Sequence, residues 1–276
     1  MKRKRVIRKP ADTFKYILRK VLLILLAVLV AFPVFYMISS SFFTSKDFSR
    51  LNILPSSASL ANYGKALGHR FFGSYVFNSI GTAVLAALIR TAVIVSAAFA
   101  FTHFRFRGKS VILTALILTL FVPQEAILYQ NYRTVAALGL IDTWAGIIST
   151  SLFSAAQMLL LMGSFHSMGK DPYDAARIDG ASDMRYIWSI LVPLSAPAVI
   201  TVMIQTLITV FNSYLWPLLV TNRPASRTIQ VGITMLGFAE SGDLGAQMAA
   251  LAVVTVPFLI VLALTKKRIQ TALIRR

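Results

Sequence analysis

No cysteine occurs among the 276 residues, which excludes disulfides and thiolate metal sites. Histidine is nearly as scarce. His69, His103 and His166 stand far apart, and none has a partner at metal-ligand spacing. Charged residues make up 14% of the chain, against about 25% in an ordinary soluble domain. Acids are the scarcest of these, with 10 Asp and Glu against 28 Lys and Arg and a formal net charge of +18. Such an excess would suit nucleic acid. Here the bases are spread between and beside long uncharged stretches rather than gathered on one polar face, so no nucleic-acid partner is expected.

What the sequence has in abundance is apolar surface, with 57% hydrophobic residues. A spanning helix needs about 20 mainly apolar residues. Six regions qualify: 21–42, 75–101 (interrupted by Arg90), 111–129 (with Glu125 near its end), 144–165, a segment within 186–222, and 244–265. The fifth stretch is too long for one span, and Pro193 and Pro197 mark where its helix enters the membrane. The first apolar run, 21–38, exceeds the apolar length of about 7–15 residues in a signal peptide and is read as a retained span. With the N-terminus cytoplasmic, 20 of the 28 Lys and Arg fall on the cytoplasmic side and 7 outside, and Arg90 lies within a span. That bias predicts two cytoplasmic termini and an even number of spans. The expected organisation is a basic cytoplasmic segment at 1–20, a transmembrane domain at 21–265 and a basic cytoplasmic tail at 266–276.

The polar loop at 168–190, between two strongly apolar spans, carries the most information. Asp171 suits a helix N-cap, Pro172 the first helical position, and Asp174 lies three residues after the cap. Gly180 suits a left-handed stop. Ser182 or Asp183 is placed to cap the next helix, which runs toward Pro193. The result is a short helix, followed by a sharp turn, in which the small residues Ala175 and Ala176 allow close approach by a partner.

This loop resembles the cytoplasmic signature of ABC importer permeases: Glu-Ala-Ala, three residues, Gly, nine residues, then Ile-x-Leu-Pro. The matching residues are Asp174-Ala175-Ala176, Gly180, Ile190 and Pro193. Asp174 stands for the usual Glu and Val192 for the usual Leu, and both changes keep the chemical type. The resemblance extends through Ser40-Ser41-Phe42, Ala61-Asn62-Tyr63, Asn78-Ser79, Phe104-Arg105-Phe106-Arg107-Gly108, Val122-Pro123, Leu138-Gly139-Leu140-Ile141-Asp142-Thr143 and Asn212-Ser213-Tyr214-Leu215-Trp216-Pro217. This ordered set resembles the carbohydrate-uptake subfamily, in its six-span maltose and glycerol-3-phosphate permease type.

The resemblance implies an all-α bundle of the type I ABC importer kind in a bacterial inner membrane. Its cytoplasmic coupling helix, with Asp174, Ala175, Ala176, Asp179 and Gly180, would dock into a cleft on a separate ATPase subunit. ATP and Mg would be bound by that partner, and no cofactor by this chain. The other implied partners are a second, different permease chain, an extracytoplasmic solute-binding protein and membrane lipid. Gly108-Lys109-Ser110 ends like a phosphate-binding loop, but His103 occupies the position that motif needs as Gly, so the run is read as a basic turn.

Two charges fall within spans. Arg90 lies twelve residues after Asn78. A central Arg costs at least ~2.5–3.5 kcal/mol to insert, so it faces the bundle interior or a water-filled path, bound either to a structural partner or to an anionic substrate. Glu125 faces interfacial water or lines the path. Gln205, Asn212 and Tyr214 are the neutral candidates for contact with sugar hydroxyls. The function expected is therefore an importer permease for carbohydrates or glycerol 3-phosphate. The alternatives are a permease for neutral oligosaccharides alone, an ion-coupled carrier with Glu125 as its one candidate carboxylate, or a membrane enzyme built on Asp171, Asp174, Asp179 and Asp183.

Overall fold

The computed structural model describes residues 10–236 and 243–274. Its regular elements there are all helical. In chain order they are α1 (Pro10–Ser40), α2 (Ser45–Ser49), α3 (Ala61–Gly68), α4 (Phe72–His103), α5 (Lys109–Leu118), α6 (Leu128–Ala137), α7 (Trp144–Ile148), α8 (Ala155–Ser167), α9 (Asp171–Ile178), α10 (Asp183–Tyr186), α11 (Val192–Leu194), α12 (Ala196–Phe211), α13 (Leu215–Val220), α14 (Ile229–Met235) and α15 (Leu244–Ile274). Residues 1–9 of the expected basic N-terminal segment, and Arg275 and Arg276 of the expected basic tail, lie outside the described residues.

Among the described residues, two single helices are long and apolar enough to cross a membrane: Tyr16–Ser40 within α1, and α4. Three further crossings are bent helix pairs, and α15 carries a shorter apolar stretch, Leu244–Pro257, where the sixth crossing was expected. The expected continuous span at 111–129 is corrected. Lys109–Phe121 and Gln124–Ala137 meet at 97°. Pro123 has no N–H to give the ladder and drives Val122 into the extended region (φ −88°, ψ 113°). The span at 144–165 is likewise broken, with 59° between Trp144–Ser151 and Ala155–Ser167. There Ser154 restarts the helix as an N-cap, accepting a hydrogen bond from the Gln157 N–H at 3.4 Å. In the fifth crossing Asp183–Leu194 and Ala196–Phe211 meet at 89°. The bend falls at Ser195, between the two prolines expected to mark the helix's entry into the membrane. A π-helical turn at Ile187–Leu191 precedes Pro193 and absorbs its missing donor.

The chain divides into two compact units: Met1–His69 with Ile233–Arg276, and Arg70–Gly232. In the first, α15 packs on α1 and α3. Gly245 permits the approach, because a Cβ there would lie 2.6 Å from the Asn62 amide nitrogen. Asn62 Nδ2 donates to the Ser41 and Phe43 carbonyls, at 2.9 and 2.8 Å, and Ser41 Oγ lies 2.8 Å from Tyr63 Oη. The first two sequence blocks thus meet in space. Beside them the loop around α2 closes on buried Asp47, which accepts hydrogen bonds from Thr44 N and Oγ1, Asn52 Nδ2 and Ser56 N at 2.8–3.2 Å.

In the second unit α4 is the central element and packs on α8 and α12. Its buried alanines, Ala83, Ala86, Ala87 and Ala98, allow neighbouring helices to approach closely. The core is filled by Ile94, Val95 and Phe99 of α4, Met158, Leu161 and Phe165 of α8, and Leu191, Val199 and Val202 on either side of the bend in the fifth crossing.

Candidate functional site

The polar loop forms a helix stopped at both ends by left-handed glycines, Gly169 (φ +73°) and Gly180 (φ +75°). Gly169 turns the chain sharply after α8. Lys170 then takes the cap position, and its carbonyl accepts from Tyr173 N and Asp174 N at 2.9 and 3.0 Å. This corrects the expected start by one residue, since Asp171 is already helical. At the other end Gly180 N donates to Arg177 O at 3.1 Å and Ala181 N donates to Ala176 O at 2.9 Å. These two bonds are the pair that defines a Schellman stop. Ser182 caps α10, accepting from Arg185 N at 3.3 Å.

One face of α9 is buried through Tyr173 and Ala176. The Tyr173 ring lies 5.7 Å from Phe99, 4.9 Å from His103 and 5.0 Å from Tyr186. Its hydroxyl donates to Asp183 Oδ1 at 2.8 Å and accepts from Arg177 Nη1 at 3.2 Å. Burial, then the bond to the Asp183 carboxylate, pushes the phenol pKa above its ordinary value. The opposite face presents Asp174, Ala175, Ile178 and Asp179 to solvent, and Ile178 is 87% exposed. Sequence reasoning missed Tyr173 and Ile178. The signal available was the helical period: Tyr173 and Ala176 are three apart on one side, and Ile178 falls on the other. Of the signature residues, Asp174, Ala175, Ala176, Asp179 and Gly180 share this helix and its stop. Ile190 and Pro193 lie beyond it, in the bent segment that leads into α12.

The candidate path residues are placed separately. Arg90, half-buried in mid-α4, donates from Nη2 to the Phe153 carbonyl at 3.3 Å. Phe153 lies in the break of the fourth crossing, so the guanidinium covers a carbonyl freed by the broken ladder. Glu125 is exposed, in the 3₁₀ turn just after the third crossing's bend. Gln205 lies on the exposed side of α12 with Thr201 and Thr209, exposed Asn212 caps the C-terminal end of the helix, and exposed Tyr214 follows it. Gln157, 5% exposed and absent from the sequence-based candidates, supports this face from behind. Its Nε2 donates to Gln205 Oε1 at 3.1 Å, and its Oε1 lies 3.3 Å from Thr206 Oγ1. Among the described residues no three His, Asp or Glu groups gather to hold a metal, and Arg90 and Glu125 share no hydrogen bond with Gln205, Asn212 or Tyr214.

An unbroken α4, bent crossings around it and a short capped helix in the loop between the fourth and fifth crossings define a type I ABC importer permease fold. The family model for the binding-protein-dependent transport system inner membrane component matches residues 92–276, and the chain belongs to that family. It is a multi-pass membrane protein with a role in transport. It is 32% identical to the sn-glycerol-3-phosphate transport system permease protein UgpE of Agrobacterium fabrum, over 82% of this chain and 83% of that protein. It is 31% identical to the trehalose/maltose transport system permease protein MalG of Thermococcus litoralis, over 93% and 96% of the two chains. Its fold matches a chain from the crystal structure of a bacterial ABC transporter involved in the import of the acidic polysaccharide alginate, with a TM-score of 0.83 and 23% identity over 95% of this chain and 98% of that one.

Proposed function

We propose that this chain is the path-forming permease subunit of an ATP-driven importer for carbohydrates or glycerol 3-phosphate, set in a bacterial inner membrane with both termini cytoplasmic. The observation that carries the reading is α9, a helix locked at both ends and anchored on one face, with Asp174, Ala175, Ile178 and Asp179 left open on the other. A rigid, partly apolar projection of this kind suits a cleft on a separate ATPase subunit. ATP and Mg stay on that partner, and this chain catalyses no reaction. A second, different permease chain completes the path, an extracytoplasmic binding protein delivers the solute, and lipid surrounds the exposed apolar side chains of α1. Closure of the ATPase domains moves α9, and α9 moves the crossings between their two access states. The test is uptake by the reconstituted complex. Uptake should require ATP and the binding protein; uptake driven by a proton gradient without ATP would overturn the reading in favour of an ion-coupled carrier.

Arg90 separates the two substrate classes. A guanidinium gives a phosphate two parallel hydrogen bonds. A neutral sugar needs mixed donors and acceptors such as Gln205, Asn212 and Tyr214. For a glycerol phosphate carrier, Arg90→Gln should lower uptake by about tenfold or more, the worth of one or two charge-assisted hydrogen bonds, and Arg90→Lys should restore part of it. Normal uptake by Arg90→Gln, with expression checked, removes the phosphate reading and leaves Arg90 as the cover of the Phe153 carbonyl.

A further inference from the structure

Both ends of α4 hold segments that are distant in sequence. At its C-terminal end Phe99 and His103 form a cluster of rings with Tyr173 of α9 and Tyr186 of α10. His103 stacks on Phe99 at 4.5 Å and meets Tyr173 edge-on at 4.9 Å and Tyr186 at 5.7 Å. At its other end Asn78 Nδ2 donates to the Ala225 and Arg227 carbonyls, at 2.8 and 3.1 Å, and its Oδ1 accepts from Trp144 Nε1 at 2.9 Å. Ser79 Oγ accepts from Ile229 N at 2.7 Å. The loop at 221–229 is held from a second side, because Arg223 N donates to Asp142 Oδ1 at 2.8 Å. Gly81 brings α4 against the Trp144 ring so closely that a Cβ would collide with it.

Asn78 and His103 are 25 residues apart, about 37 Å along a continuous helix. α4 contains no proline and no break. Every other crossing in this unit is bent by 59–97° at a non-helical or proline-marked joint, where displacement at one end dissipates in the joint. A continuous helix with both ends keyed to other segments transmits displacement that the bent crossings cannot.

We propose that α4 is the rigid link between the coupling helix and the loop at 221–229, with His103 as the positioning residue at one end and Asn78 at the other. A displacement of α9 reaches that loop through α4, and a solute-delivering protein engaging the loop is sensed at α9 by the same route. The proposal rests on the reading that α9 docks on the ATPase, but it goes beyond it, because it names the element that carries the motion. The residues named touch neither the open face of α9 nor the exposed side of α12, so basal ATP hydrolysis by the complex should survive their loss.

The test uses the full complex in lipid and measures ATPase activity with and without the liganded binding protein. His103→Ala and Asn78→Ala should each lower the stimulation by about fivefold or more, with basal activity near that of the parent. The double variant should be no worse than either single one, since both residues act along one route. His103→Phe keeps the ring and should retain most of the stimulation. If the two losses multiply in the double variant, the ends act independently and the link is overturned; if His103→Phe behaves like His103→Ala, ring packing does not carry the motion at that end and the link is overturned there. A parent complex that fails to bind the ATPase at all would instead overturn the docking reading.

Discussion

Gly180 sits at φ +75°, and nothing lies within 4 Å of where its Cβ would be. Its constraint is therefore backbone conformation and not space. A side chain there costs about 1–2 kcal/mol in the left-handed region, least for Asn and most for a β-branched residue. Gly180→Val should release the stop after Ile178, misaim α9 and reduce both uptake and co-purification of the ATPase, while membrane insertion stays normal. Gly180→Asn should keep most of both. Equal behaviour of the two variants would mean that the glycine matters for something other than its dihedral angle. This residue was legible in the sequence because a glycine eight residues after a Pro-containing helix start has few other uses. The start itself was misplaced by one residue, because nothing in Met168-Gly169-Lys170 announces that Gly169 already takes a positive φ. Arg90 was legible as a buried cation in need of a partner. The partner was not, because the Phe153 carbonyl becomes free only through a break that no proline marks.

That break illustrates what is hidden at the scale of elements. Hydropathy averages over a window, so it finds an apolar stretch and does not register a 59° turn within it. Pro193 and Pro197 mark, in the sequence, only the point where a helix enters the membrane, and Pro123 falls unremarked in a stretch expected to be continuous. The bend at Leu152 and Phe153 rests on Ser154 capping α8, and a serine in an apolar run is an ambiguous sign. The loop around α2 is another element that the sequence did not display, since nothing marks Asp47 as the acceptor for three separate residues. Hydrogen bonds from Ser56, Thr44 and Asn52 hold its carboxyl well below the usual carboxylate range. The sign follows from that depression. The charged form is favoured in the folded loop, so its stabilisation is fully present above the ordinary Asp value of about 3.9 and is lost as pH falls below it. Limited proteolysis of the loop should show constant protection at pH 5–8 and increasing cleavage as the pH is lowered below about 4. Asp47→Asn should be cleaved faster at neutral pH and show little of that acid dependence. A loop equally protected in both proteins at pH 7 would mean that the carboxylate contributes nothing to its closure.

At the scale of the whole chain, the apolar stretches and the ordered blocks were readable because long apolar stretches and short polar signatures are one-dimensional properties. Which blocks meet was not readable. Asn62 reaches the carbonyls of Ser41 and Phe43, Asn78 reaches those of Ala225 and Arg227, and Trp216 Nε1 donates to Gly146 O at 3.1 Å. Each pair closes a long stretch of sequence that no local pattern specifies. The orientation in the membrane is a property of the same scale, and it rests on the split of basic residues, 20 against 7. The chain is well suited to a direct test, because it has no cysteine of its own. Ser57 and Ser182 are both exposed, one in the loop after the first crossing and the other just beyond α9. Ser57→Cys should be labelled by a membrane-impermeant thiol reagent in intact cells, and Ser182→Cys only after the membrane is opened. Losing the Ser182 cap costs about 1 kcal/mol, which a bundle of this size tolerates. The two sites are separated by three crossings (the second, third and fourth), so they must report opposite faces whichever way the protein inserts. Labelling of Ser182→Cys from outside with Ser57→Cys protected would invert the protein and put α9 out of reach of any cytoplasmic ATPase. Equal labelling of both sites from one side would change the number of crossings between them from odd to even, and would show that one bent pair enters and leaves the membrane by the same face.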